Sequence, residues 1–563
     1  MQHPSKSGSV VRIASVLAAG SVFGAAASGQ TALLHLKGTS VGEMYGAIAE
    51  EVSAGFVFAP NYELVVGVPE DDTNGVDAGR VDVRSATNGT LLYSLYGASA
   101  GDRFGARVTQ ADLNGDGRID YLLVGADQRG TGSPGYLSLF DPLTGFKLAS
   151  VPGTVPDSEF GASMAVVRDL DGDAVNDYLV GAPNEDVGLL VGAGVVHVIS
   201  GVNNLEIATL DGVSAGGHFG WNLLTLGDVD GDTIPDFAVA APAEGGMGTL
   251  TAFSETSPPV QVWQSAGANA LEDFGEAVQS VSDFDGDSIA DLLVGAPALL
   301  NPALPGRVAL ISGATGVEIT SVAGPAPADR FGVAIQIGDA NGDGVADVYV
   351  GAPGVNGPGT DRGAMVVETL AAPGVFSFLG VIVGDVDGDS FGSTLALLPI
   401  SPRPILGDYV AVGVPGHDEP GLADCGLTIV YSTTSSPASV QSYGTGWPGT
   451  NGIPNLVSNA IPAFETTIDL TIDNSAGAPT VALLLAGFAQ ASIPTRAQGT
   501  ILVSPPWVLI ALALPVGQLV MPSIVPTDVR YCGLKVDLQV LEQDFGASRN
   551  ISFTPALELT LGG

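Results

Sequence analysis

Five segments of the 563-residue chain carry side-chain oxygens at positions 1, 3, 5 and 9 of a nine-residue stretch. They are Asp112, Asn114, Asp116 and Asp120; Asp169, Asp171, Asp173 and Asp177; Asp228, Asp230, Asp232 and Asp236; Asp283, Asp285, Asp287 and Asp291; and Asp339, Asn341, Asp343 and Asp347. Short acidic side chains on alternate residues around a glycine turn can converge on one cation, and the backbone carbonyl of position 7 adds an oxygen. Calcium, which takes about six to eight hard oxygens at roughly 2.3–2.6 Å, suits this donor set. The predicted cofactor is therefore Ca2+, at about five sites. An EF-hand is the rival pattern, but it needs a bidentate Glu at position 12. That position holds Leu123, Val180, Val239, Val294 and Val350. Solvated Asp-Gly turns are the plainer alternative, and 18 carboxylates packed into five clusters call for cations instead.

The remaining chemistry-bearing patterns lose their meaning in register. G-x-S-x-G occurs at 38–42, 97–101 and 212–216, which matches a nucleophile elbow around Ser40, Ser99 or Ser214. Each Ser stands six residues before the glycine of a recurring aromatic-Gly pair, so the motif reads as a repeated turn. His3, His35, His197, His218 and His417 share no metal-ligand spacing, and Gly192–Gly194 follows no phosphate-cradle pattern. No catalytic constellation emerges.

A repeat positions the acidic loops. Phe-Gly recurs at Phe104, Phe160, Phe219, Phe274, Phe331 and Phe391, with Tyr45-Gly46 as a variant, at intervals of 55–60 residues. In each of the seven repeats a short apolar strand follows the aromatic-Gly pair, then a loop that is acidic in five of them. A second strand ends in a Val-Gly-Ala-Pro-like turn such as Val180 to Pro183, and two further strands follow. Four strands per repeat, seven times over, predict the blades of a β-propeller. Thr31 to Gly46 matches Thr90 to Gly105 in spacing, so the chain after residue 30 starts with a fourth strand that has no blade before it. The seventh repeat has three evident strands, so this N-terminal strand is expected to complete blade seven and remove an open edge.

Blades two to six carry the acidic pattern; one and seven depart from it. Positions 1, 3 and 5 are Gly55, Val57 and Ala59 in the first and Ile400, Pro402 and Pro404 in the last, so neither is expected to bind calcium. Asp385-Val386-Asp387-Gly388-Asp389 precedes Phe391-Gly392 and lies outside the loop register.

Phe-Gly, a D-x-[DN]-x-D-G-x-x-x-D-like loop and Gly-Ala-Pro together resemble the FG-GAP repeats of the integrin α-subunit N-terminal domain, also found in secreted bacterial proteins. The resemblance covers roughly residues 31–440. It implies a seven-bladed propeller with calcium held in loops on one face and ligand contacts commonly made on the other. It does not transfer a ligand. Integrin legs, a transmembrane helix and an inserted ligand-binding domain are not evident.

Outside the repeat, Lys6 and Arg12 precede an apolar stretch from Ile13 to Ala27, so residues 1–29 read as an export signal. The expected layout is a signal over 1–29, the propeller over 30–440, a turn-rich linker over 441–452 and a C-terminal β-sandwich-like domain over 453–563. Strands are expected there at Thr467–Ile472, Val481–Ala486, Thr500–Val503, Trp507–Leu514, Lys535–Leu541 and Ala556–Leu561. Between Asn474 and Thr527 the only charge is Arg496, but Pro505, Pro506, Pro515 and Pro522 interrupt any membrane span. Cys425 and Cys532 fit either a disulfide or two buried thiols.

With 60 acidic and 19 basic residues the net charge is −41, which argues against nucleic acid or an anionic membrane as partner. The expected protein is all-β, secreted or at the cell surface, and non-enzymatic. It is a calcium-binding scaffold for adhesion or for binding an extracellular protein or glycan. The alternative is a secreted hydrolase or lyase using the propeller channel or the C-terminal domain.

Overall fold

The computed structural model describes residues 31–563 apart from 46–47, 53–62, 87, 257, 342, 357–359, 372–373, 399–408, 433–438, 464–465, 506–507, 526–533 and 562–563. The export signal, the position 1, 3 and 5 residues of repeats one and seven, and Cys532 lie outside the described residues. Nearly all regular structure is strand, and two 3-10 turns, Glu244–Gly246 and Ser548–Asn550, are the helical elements described.

Strand pairing organises the repeats into seven four-stranded antiparallel sheets. Six follow chain order, as in Ser163–Val167, Asp177–Ala182, Val195–Ile199 and Glu206–Asp211. The seventh joins Leu395–Leu398, Tyr409–Val414 and Leu427–Ser432 to Thr31–Lys37 at its outer edge. The N-terminal strand thus completes the last sheet, as its spacing predicts. First strands neighbour one another from sheet to sheet, and Ile48–Val52 of the first lies beside Leu395–Leu398 of the last. This is the arrangement of a β-propeller.

Burial follows position in the blade. The second strands, such as Asp177–Ala182, Asp291–Ala296 and Asp347–Ala352, are buried at every residue, because neighbouring blades cover both faces. The fourth strands, such as Glu206–Asp211, are largely exposed or half-buried. Between the second and third blades, Leu123, Leu137 and Leu139 pack with Phe160, Met164, Tyr178 and Val180. The Phe-Gly aromatics are all buried in such seams.

The glycines of the repeat meet backbone. Gly161 has φ +95°, and its amide donates to the Gly181 carbonyl at 3.0 Å. A Cβ on Gly181 would stand 2.1 Å from the Gly220 carbonyl oxygen of the next blade. Phe-Gly and Gly-Ala-Pro are therefore one contact, made within a blade and repeated across the seam.

Contacts divide the chain into two compact units, and Ser432–Gly563 belongs to the second. There one sheet runs in the order Ser439–Tyr443, Ala556–Thr560, Lys535–Gln543, Thr480–Gly487 and Val508–Leu514, with Ile551–Phe553 also pairing to Lys535–Gln543. A three-stranded sheet holds Leu456–Ser458, Thr467–Asp473 and Gln518–Ile524, and Gln490–Pro494 pairs with Thr500–Val503. Ile468, Leu470 and Ile472 alternate inward along their strand, as do Ala482 and Leu484 on theirs. Within the segment expected as linker, Ser442 and Tyr443 end a strand and Trp447 bridges to Phe553. Among the described residues no helix is long and apolar enough to cross a membrane.

Candidate metal centres

Each acidic loop joins the first and second strands of its blade, and its residues have distinct places. Position 1 wraps the turn. Asp169 Oδ1 accepts the amides of Gly172 at 2.6 Å and Asp173 at 3.0 Å, and its Oδ2 accepts that of Ala174 at 2.7 Å. Asp112, Asp228, Asp283 and Asp339 accept amides in the same way. Short polar side chains capture local amides readily, so the loop is formed by its own sequence.

Position 9 opens or immediately precedes the second strand and ties the loop down. Asp177 Oδ2 accepts the Leu170 amide at 2.8 Å, and Oδ1 accepts the Gly201 amide at 3.0 Å from the turn between the third and fourth strands. Asp291 repeats this with Phe284 at 2.7 Å and Gly313 at 3.1 Å. Asp120, Asp236 and Asp347 accept the amides of Leu113, Val229 and Ala340.

Positions 1, 3 and 9 converge in three loops. In Asp169, Asp171 and Asp177, in Asp228, Asp230 and Asp236, and in Asp283, Asp285 and Asp291, one oxygen from each residue lies within 4.8 Å of the others. Position 5 stands apart from these triads: Asp173, Asp232 and Asp287 accept the amides of Val175, Ile234 and Ile289 at 3.0, 2.7 and 2.8 Å. Where position 3 is Asn, Asn114 Nδ2 donates to Asp120 Oδ1 at 3.1 Å and Asn341 Nδ2 to Asp343 Oδ2 at 2.9 Å. Asp116 and Asp343 at position 5 cap Arg118 and Val345.

The electrostatics of the triads are one-sided. Among the described residues no Lys, Arg or His forms an ion pair with a member of the three all-Asp triads. Burial raises the pKa of Asp177, Asp236 and Asp291, and neighbouring loop carboxylates add to the rise, against amide hydrogen bonds that lower it. At Asp169 burial raises the pKa, but the loop amides together outweigh it and the net shift is downward. Asp283 is lowered by the amides of Gly286 and Ser288. Three converging carboxylates without a basic side chain, in a loop their own hydrogen bonds hold in shape, fit a hard divalent cation.

The out-of-register segment is used otherwise. Asp387 pairs with Arg362 at 2.6 Å and Asp389 with His417 at 3.0 Å. His197 lies between Glu185 at 3.1 Å and Glu206 at 2.7 Å, and His218 Nδ1 meets the Pro183 carbonyl at 3.2 Å. No candidate ligand triad among the described residues includes a histidine.

The G-x-S-x-G segments are turns that lead into the next blade. Ser99 and Ala98 donate their amides to Asp102 Oδ2 at 3.0 and 2.9 Å, and Ser40 donates its amide to Glu43 at 2.7 Å. Sequence reasoning missed these acids, which stand two residues before the aromatic. Glu43, Asp102, Glu272, Asp329 and Asp389 are all buried. Their signal was present as a recurring acid in register with Phe-Gly.

The comparisons with known proteins agree with this geometry. Residues 283–350 match the FG-GAP-like repeat family and residues 219–253 the FG-GAP repeat family. The propeller thus carries FG-GAP-like repeats and is similar in sequence to integrin α subunits. The chain is 37% identical over 158 residues to integrin alpha-PS2 of Drosophila melanogaster, covering 24% of this chain and 11% of that protein. It is 31% identical over 213 residues to integrin alpha-4 of Xenopus laevis, covering 34% and 19%. With integrin alpha-V of Gallus gallus it shares 28% over 207 residues, covering 34% and 20%. The matched segments span no more than about a fifth of these relatives' length.

Proposed function

We propose that this protein is a calcium-stabilised extracellular scaffold that binds a protein or glycan ligand through its propeller and carries out no catalysis. Its layout is an export signal over 1–29, a propeller that ends near Tyr431 and a C-terminal β domain from Ser432 onward, which takes in the end of the span expected as propeller and the span expected as linker. The observation that carries the reading is the convergence of Asp169, Asp171 and Asp177, and of their counterparts in two later blades, with no basic side chain paired to them. Bound calcium would supply positive charge to offset the loop carboxylates, and in the Asn-containing loops Asp112, Asn114, Asp116 and Asp120, and Asp339, Asn341, Asp343 and Asp347, would offer it their side-chain oxygens. The chain's own part is to preform the loop through position 1 and to fasten it to the second strand through position 9. Likeness to integrin α subunits supports a propeller that presents loops to a partner.

Thermal unfolding of residues 30–563 in excess EDTA and across a calcium titration tests this. A site whose calcium is at ten times its Kd adds about 1.4 kcal/mol. A large calcium-dependent rise in Tm, with metal analysis finding several calcium ions per chain, is expected. A metal-free protein that melts identically with and without calcium overturns the reading. Turnover across a panel of hydrolase and lyase substrates overturns its non-catalytic part.

A further inference from the structure

The first strands of five blades and the residues just before them line a half-open cavity of about 170 Å³ at the centre of the blade ring. Arg107 enters it from the second blade, Asn222 from the fourth, Gln279 from the fifth and Gln336 from the sixth. Arg107 Nη2 donates to Asn222 Oδ1 at 3.1 Å, reaching past the third blade, and Asn222 Nδ2 donates to the Glu276 carbonyl at 2.6 Å. Asn222 therefore holds the guanidinium in place. Arg107 Nε is enclosed and has no hydrogen-bond partner.

This half-buried arginine is out of keeping with its surroundings. The chain has 60 acids for 19 basic residues, and the buried arginines are paired: Arg80 with Glu43 and Asp71, Arg307 with Glu272 and Glu318. Arg107 makes no ion pair with any described residue. Glu276, a carboxylate on the same wall, is hydrogen-bonded by Trp221 instead. Arg107 thus brings a positive charge to the cavity wall with no carboxylate paired to it among the described residues, and carboxylate is the group the planar guanidinium fork matches best.

We propose that the axial channel is a binding site for a small carboxylate, which Arg107 reads by charge and the side-chain amides of Gln279 and Gln336 by hydrogen bonding. The cavity is well below the roughly 300 Å³ at which drug-sized pockets begin, so the ligand is a compact organic acid or a single uronic acid unit. This site does not depend on the scaffold reading, since it lies inside the blade ring and is separate from whatever meets the blade loops.

Isothermal titration of the calcium-loaded protein with D-glucuronate, acetate and neutral D-glucose tests the site. Glucuronate and glucose share a ring and differ in the carboxylate. Saturable binding of glucuronate or acetate with a Kd of about 10 mM or tighter, and none of glucose, is expected. Arg107→Gln should weaken it at least tenfold with the calcium-dependent Tm rise retained. Should Arg107→Gln fail to fold, Gln279→Leu is the second variant, with a several-fold loss expected. No binding of either acid by the natural sequence, equal binding of glucose, or undiminished binding by a folded variant would overturn the proposal.

Discussion

Asp177 holds the Leu170 amide at 2.8 Å through the oxygen that faces the loop, while its other oxygen holds the Gly201 amide. Among the described residues the Asp171 side chain, in the same triad, accepts no hydrogen bond, and it is exposed. The two carboxylates thus separate metal binding from folding. Asp171→Ala is expected to match the natural sequence in EDTA and to lose part of the calcium-dependent rise in Tm. Asp177→Ala should lose stability in EDTA as well, by about 1–3 kcal/mol, because two enclosed amides lose their acceptor. Denaturant unfolding of both variants with and without calcium checks this, and equal behaviour in EDTA contradicts it.

The aromatic-Gly contact predicts a graded series. Gly161→Ala combines φ +95° with a Cβ 2.9 Å from the Tyr136 carbonyl oxygen, and Gly181→Ala drives its Cβ to 2.1 Å from the Gly220 oxygen. Gly172 has φ +85° but nothing within 4 Å. Gly172→Ala should therefore cost only the left-handed backbone penalty of about 1–2 kcal/mol. Both other substitutions should cost more, Gly181→Ala most, since a backbone oxygen in a blade seam cannot move aside. Urea midpoints of the three variants give the order.

The repeat was legible because it is written several times: a buried strand must be an apolar run, and a metal loop must alternate acids. The recurring spacing let Phe391-Gly392 set the register against the acidic run that precedes it. Roles within the loop were less legible. All four acids look alike in sequence, yet one oxygen each of Asp169, Asp171 and Asp177 converges, while Asp173 stays outside the triad and caps the Val175 amide. Pro522 in turn obscured the strand Gln518–Ile524. That strand is at the edge of its sheet, facing Thr467–Asp473, where a missing N–H breaks no ladder.

Arg80 carries a heavier load than its sequence suggests. Its guanidinium pairs with Glu43, Asp71 and Asp82, all three of them buried, so the arginine stands between three carboxylates in one seam. Removing the cation leaves buried charge uncompensated, which typically costs about 3–5 kcal/mol. Arg80→Met should destabilise the propeller by that order in urea. Adding Glu43→Gln and Asp71→Asn to it should recover part of the loss.

His197 gives a pH dependence whose sign follows from its neighbours. Burial lowers its proton affinity, but hydrogen bonds to Glu185 and Glu206 outweigh this, and the net pKa is raised above the ordinary histidine value. A group whose folded pKa exceeds its unfolded one stabilises the fold fully below the unfolded pKa, about 6.5. That contribution fades as pH climbs through the raised folded value. His197→Gln should therefore be less stable than the natural sequence near pH 6, and the gap should narrow steadily towards pH 9. Paired urea titrations at fixed calcium measure the gap. A gap that is constant with pH would mean that the imidazole acts by packing against Phe160, its edge-on neighbour at 5.1 Å, and not by its charge.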